Sequence, residues 1–145
     1  MKTIHFLLGC LLFSVVALAQ DQKSHEQIKS LKLAHLASEL NLTSQESEKF
    51  WPLYTAYDNK IYDLRHNDVA RFIHKTDNDV IKKMSEEDAK KALENIITYE
   101  DDYFAIRKKF NEDAQKILSY KKIILLKKAE DDFNRKLLKQ YKKKK

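Results

Sequence analysis

One glycine and one cysteine are all that the 145 residues contain, and they sit side by side as Gly9 and Cys10. Glycine enters left-handed backbone at no steric cost, so tight hairpins and phosphate-cradling loops depend on it. Past position 9 the chain therefore has no Gly-rich dinucleotide-binding or Walker-type loop. The lack of any later cysteine excludes disulfides, thiol catalysis and thiolate metal sites from the rest of the chain. Proline and tryptophan also occur once each, adjacent, in Phe50-Trp51-Pro52-Leu53-Tyr54. This composition points to long helices joined by short polar turns and away from β structure.

The long apolar run is at the start. Lys2 supplies a positive leader, Ile4 to Leu18 an apolar stretch, and Ala17-Leu18-Ala19 an A-x-A cleavage site before Gln20. About fifteen apolar residues fall short of the roughly 20 that a spanning helix needs. Residues 1–19 therefore read as a cleaved secretory signal peptide, and 20–145 as one all-helical domain with a periplasmic destination. Leu7-Leu8-Gly9-Cys10 has the look of a lipoprotein signal, but most of the apolar run follows Cys10, so lipidation is not expected.

The formal charge is +6, and loss of Lys2 leaves 27 basic against 22 acidic residues. Lys142, Lys143, Lys144 and Lys145 close the chain as a cationic tail. The bland reading of this tail is a solvated helix end favoured by the dipole. The sharper one is contact with an acidic protein or an anionic membrane surface. Export removes the chain from nucleic acid, which is not an expected partner.

Leu33, Leu36, Ala37 and Leu40 recur at one-face helical spacing and place a first helix over Gln22 to Leu40, broken at Asn41-Leu42. Thr43 reads as an N-cap, with Glu46 completing a capping box. A second helix is expected from Ser44 to about His74, with Phe50, Leu53, Tyr54, Tyr57, Ile61 and Leu64 on its apolar stripe. Thr76-Asp77-Asn78-Asp79 interrupts the pattern, and Val80 to Met84 fits a short helical turn. Ser85, with Asp88 three positions on, opens a third helix over Glu86 to Leu118, and Ser119 a fourth over Tyr120 to about Tyr141. The fold expected is all-α, about four helices in long kinked hairpins. Pro52, about two turns inside the second helix, should kink it near Glu48.

"LNLTSQESEKFWPLYTAYD" and "KILSYKKIILLKKAEDDF" each give a Leu-Thr/Ser opening followed by a helix. With "KFWPLYTAYDNKIYDLR", these stretches resemble the Spy/CpxP-like periplasmic proteins, in the Bacteroidetes branch described as sensors of ECF-type sigma factors. That family carries two Leu-Thr-x-x-Gln motifs. The matching stretches are Leu42-Thr43-Ser44-Gln45-Glu46 and Leu118-Ser119-Tyr120-Lys121-Lys122, with Glu46 and Lys122 where the family has glutamine. The resemblance implies a curved, hook-shaped, often dimeric protein of the envelope stress response. Some relatives hold unfolded proteins, some restrain a sensor kinase, and distant ones bind metals.

Few constellations suggest catalysis. Glu100-Asp101-Asp102 and Glu130-Asp131-Asp132 point about 100° apart residue by residue, so neither triplet converges on one ion. Asp131 with Arg135, and Asp132 with Lys136, have helix ion-pair spacing. His25, His35, His66 and His74 show no i, i+4 pairing and read as exposed polar side chains. No nucleophile motif accompanies the serines, so no enzyme activity, metal or cofactor is expected. Tyr54, Tyr57 and Tyr103 lie on apolar stripes, whereas Tyr62 and Tyr99 lie off them and are the candidates for a protein-binding surface. The expected function is binding of proteins, as an envelope-stress chaperone or accessory regulator, with a homodimer among the expected assemblies. The alternatives are a dedicated partner of an anti-sigma factor or sensor kinase, and a metal-responsive sensor.

Overall fold

Four of the chain's helix starts are written by side chains that accept a hydrogen bond from their own first turn. In the computed structural model, described over residues 25–143, the chain is all-helical, with no strand among the described residues. The signal peptide with Cys10, residues 22–24 of the expected first helix, and Lys144 and Lys145 lie outside the described residues.

Helix α1 covers residues 25–40. Asn41 ends it at φ 42°, inside the left-handed region. Glycine is the usual choice there, and asparagine is the residue that best tolerates its absence. Helix α2, Ser44–Arg65, starts on the expected capping box: the Glu46 N–H donates to Thr43 Oγ1 at 3.2 Å, and the Thr43 N–H to Glu46 Oε2 at 2.8 Å. It runs on through Pro52.

The second helix does not reach His74 in one piece. Asn67 interrupts it, its Oδ1 accepting the Ala70 N–H at 2.8 Å to cap a separate α3, Asp68–Lys75. A short polar side chain offers the backbone an alternative to helix continuation, and here the alternative wins. The expected turn at Val80 to Met84 forms two residues earlier as α4, Asn78–Lys82. Ser85 caps α5, Glu86–Ala114, through the Asp88 N–H at 3.1 Å. α5 ends short of Leu118 because residues 115–118 tighten into turns, the Lys116 and Ile117 N–H groups bonding back only three residues, to the Asp113 and Ala114 carbonyls. Ser119 then accepts from the Lys122 N–H at 3.3 Å and opens α6, Tyr120–Lys143. The described residues thus hold six helices rather than four, because α3 and α4 are separate pieces.

The chain forms two compact units, residues 42–123 and a second made of residues up to 41 with those from 124 onward. In the second unit, Leu36 and Leu40 of α1 and Leu126, Ala129 and Phe133 of α6 are buried. His35 is not the exposed polar side chain expected from sequence. It is half-buried, its Nε2 donating to the Ala129 carbonyl at 3.2 Å and its ring 5.9 Å from that of Phe133.

The core of the 42–123 unit is aromatic. Phe50, Tyr54 and Phe110 are buried, and Tyr57 stacks on Phe110 at 4.1 Å between centroids and 15° between planes. Trp51 packs edge-on against Phe50 and Tyr54. Pro52 faces outward and is exposed.

Two carboxylates of the long helices are each bracketed by cations. Asp113 accepts from Lys109 at 2.8 Å and Lys116 at 2.7 Å, and Asp132 from Lys128 at 2.7 Å and Arg135 at 2.5 Å. Asp131 pairs with Arg135 as its spacing predicts, but Asp132 takes Lys128 and Arg135 rather than Lys136. The hydrogen bond from Lys109 chiefly lowers Asp113 from the ordinary 3.8 to about 2, and that from Lys128 does the same for Asp132. A depressed folded-state pKa gives stability that is present above the unfolded value and lost as pH falls through the folded one. The melting temperature should therefore decline between about pH 4 and pH 2 through these groups. In thermal melts, the variant Asp113→Asn should lose part of that decline; an identical profile would contradict the assignment.

Candidate functional site

The candidate surface begins with how little of α5 is covered. Its buried residues are Phe110 and Ala114, both in its last turns. Over residues 86–109 the helix buries nothing fully: Ala89, Ala92, Ile96, Tyr99, Tyr103 and Ile106 form a half-buried stripe. On a second face, Leu93, Ile97 and Phe104 are 57%, 49% and 67% exposed. At 100° per residue these three positions fall within about 40° of arc. Single exposed apolar side chains are ordinary, but an aligned set along an uncovered helix is the kind of patch that partners bind. The near-heptad series Ala89, Leu93, Ile96, Tyr103, Phe110, Ala114 and Ile117, interrupted by Glu100 and Arg107, predicts Leu93 on the core stripe, and Leu93 is instead 57% exposed.

Beside this stripe, two adjoining hollows share Glu100 and Tyr103. The first, about 500 Å³, is lined also by Arg65, His66, His74 and Tyr99. The second, about 530 Å³, runs along α5 past Phe104, Arg107, Lys108 and Asn111. Glu100 and Arg107, the two charges that interrupt the apolar spacing of α5, thus both line open hollows. Arg65 Nη2 donates to the Tyr103 hydroxyl at 2.7 Å, and the guanidinium carbons of Arg65 and Arg107 each lie 5.6 Å from the centre of the Tyr103 ring. A guanidinium on an aromatic ring keeps its edge donors free for a carboxylate, while the ring holds it in place.

Tyr62 and Tyr99, the tyrosines singled out from sequence, both come to this region by different routes. Tyr99 lines the first hollow with its ring 6.5 Å from that of Tyr103, and it shares the half-buried face of Tyr103 rather than standing apart from it. Tyr62 is 37% exposed and packs at 3.9 Å on His66, which lines that hollow. His66 Nδ1 donates to the Tyr62 carbonyl at 2.7 Å, which fixes the ring against the tyrosine. Lys142 is exposed on α6, in the other unit, and Lys143 ends the described helix. Sequence reasoning passed over Arg65, Phe104 and Asn67. The i, i+4, i+11 series from Leu93 to Phe104 was the available signal for a second apolar face.

The motif residues do structural work. Thr43 and Ser119 cap helices, Leu118, Phe50 and Tyr54 are buried, and Leu42 is half-buried. Glu46 and Lys122, at the two positions where the family resembled in sequence has glutamine, pair with each other at 2.5 Å, with only 21% and 25% of their side chains exposed. One opposite-charge pair thus bridges the starts of α2 and α6. The Lys122 hydrogen bond, followed by that of the Thr43 N–H, holds the Glu46 carboxyl below its usual range.

Among the described residues no group of three His, Cys, Asp or Glu side chains is placed to hold a metal ion. No helix among them is long and apolar enough to cross a membrane. Compared with protein-family models, with curated proteins and with solved structures, the chain matches none.

Proposed function

We propose that this chain is a non-enzymatic, exported helical protein of Spy/CpxP-like type that binds other proteins, as an envelope-stress chaperone or accessory regulator. The observation that carries the reading is α5 over residues 86–109, which buries no residue while Leu93, Ile97 and Phe104 stand exposed in line. Apolar and aromatic surface edged by Arg65, Arg107 and Lys108 suits partly unfolded or acidic clients held by weak, reversible contacts. The cations would speed encounter, and added salt would weaken it.

A denatured client diluted into a stoichiometric amount of the mature protein should stay in solution, and salt should reduce the effect. Unchanged aggregation would count against the chaperone. Capture from envelope extract separates the two regulatory possibilities: many proteins mark a chaperone, one defined complex a dedicated partner of an anti-sigma factor or sensor kinase.

A further inference from the structure

The excess of positive charge in the mature chain is confined to one end of its sequence. Residues 42–123 hold 15 basic and 16 acidic side chains, while residues 124–145 hold nine against three, with no acid after Asp132. On α6 the cations also share a side. At 100° per residue, Arg135, Lys136, Lys139 and Lys142 fall within about 120° of arc, with Lys128 inside it. All five are exposed, on the side away from the buried Leu126 and Phe133. Asp131 and Asp132 take Lys128 and Arg135 as their partners. Lys136, Lys139 and Lys142 form no ion pair among the described residues. Two apolar side chains stand with them: Ile124, inside the same arc and 70% exposed, and Leu138, about 40° beyond its edge and 62% exposed.

We propose that this face of α6 lies on an anionic lipid bilayer, with Ile124 and Leu138 in the headgroup layer and Lys136, Lys139 and Lys142 beside lipid phosphates. The two apolar side chains are about 21 Å apart along the helix and nearly on one line. A flat surface meets both at once, together with the cations between and beyond them. The outer face of a single helix is a convex ridge, with no groove to enclose an acidic segment of another protein. Cations flanking exposed aliphatic side chains on one helix are the pattern of a helix that rests in the interface plane. Each unpaired lysine near an anionic leaflet adds an attraction that salt screens. The α5 surface lies in the other unit, so this inference is independent of the protein-binding reading.

Its test is cosedimentation of the mature protein, residues 20–145, with vesicles of phosphatidylcholine and phosphatidylglycerol in equal parts, beside vesicles of phosphatidylcholine alone. Binding to the anionic vesicles at low salt is expected, with about a hundredfold less to the neutral ones. The triple variant Lys136→Gln, Lys139→Gln, Lys142→Gln should bind the anionic vesicles about a hundredfold more weakly. The double variant Ile124→Ser, Leu138→Ser should bind them about tenfold more weakly. Circular dichroism and melting temperature establish that both variants fold. No binding to anionic vesicles, equal binding to both kinds, or undiminished binding of either variant overturns the proposal. Capture of soluble polyglutamate in place of the anionic vesicles overturns it in favour of an acidic protein partner.

Discussion

Phe110→Ala is expected to cost about 4 kcal/mol of folding stability. Phe110 is 2% exposed, stacks on Tyr57 at 4.1 Å, and meets Tyr54 edge-on at 5.9 Å and Phe50 at 6.5 Å. Along α5 it is the one large side chain that is fully buried, the other buried residue being Ala114. Truncation removes the transfer energy of the ring and leaves a void that three rings of α2 cannot fill, since each is fixed by its own neighbours. Native domains have only about 5–15 kcal/mol in total, so the variant should be marginal. Phe104→Ala, at 67% exposure, should change stability by less than about 0.5 kcal/mol. Urea denaturation of the two variants reads the contrast, and comparable losses would contradict the assignment of core and surface on α5.

Pro52→Ala should move stability the other way, by about 2 kcal/mol. Proline in a helix interior is about 3 kcal/mol less favourable than alanine, because it lacks the N–H and crowds the carbonyl four residues back. Up to about 1 kcal/mol returns through the stiffer unfolded chain. Pro52 is exposed while Phe50 and Tyr54 on either side are buried, so its ring gains no packing to offset the loss. The helix runs unbroken from Ser44 to Arg65 all the same. The expected kink near Glu48 makes the same substitution a test of shape: the variant's α2 should be straighter than wild type. A lower melting temperature would mean that a bend at Pro52 is needed to seat Phe50 and Tyr54 against Phe110.

How much of this was legible in the sequence follows from what each feature depends on. The caps at Thr43, Ser85 and Ser119 are local, since a hydroxyl and a backbone N–H three residues on are enough, and all three form. The break at Asn67 is equally local, and periodicity agrees with it: in a continuous helix Asp68, seven positions after Ile61 and four before Phe72, would fall on the apolar stripe. The side-chain hydrogen bond to Ala70 fixes where the new helix starts. The α5 surface needed tertiary information. That helix carries two apolar series, one through Ala89, Ile96 and Tyr103 and one through Leu93, Ile97 and Phe104, and which one meets α2 is settled by packing. The Glu46–Lys122 pair spans 76 positions, so two charges far apart in sequence become one bridge only in three dimensions.

The account's central claim is that the exposed side of α5 binds proteins, and one measurement addresses it directly. A chemically denatured client is diluted into wild-type mature protein, and into a variant with Leu93, Ile97 and Phe104 all changed to serine, while light scattering is followed. Because all three residues are at least 49% exposed, the variant should fold as wild type does by circular dichroism and melting temperature. The account predicts that wild type suppresses aggregation and the folded variant does not. Equal suppression by both would contradict it.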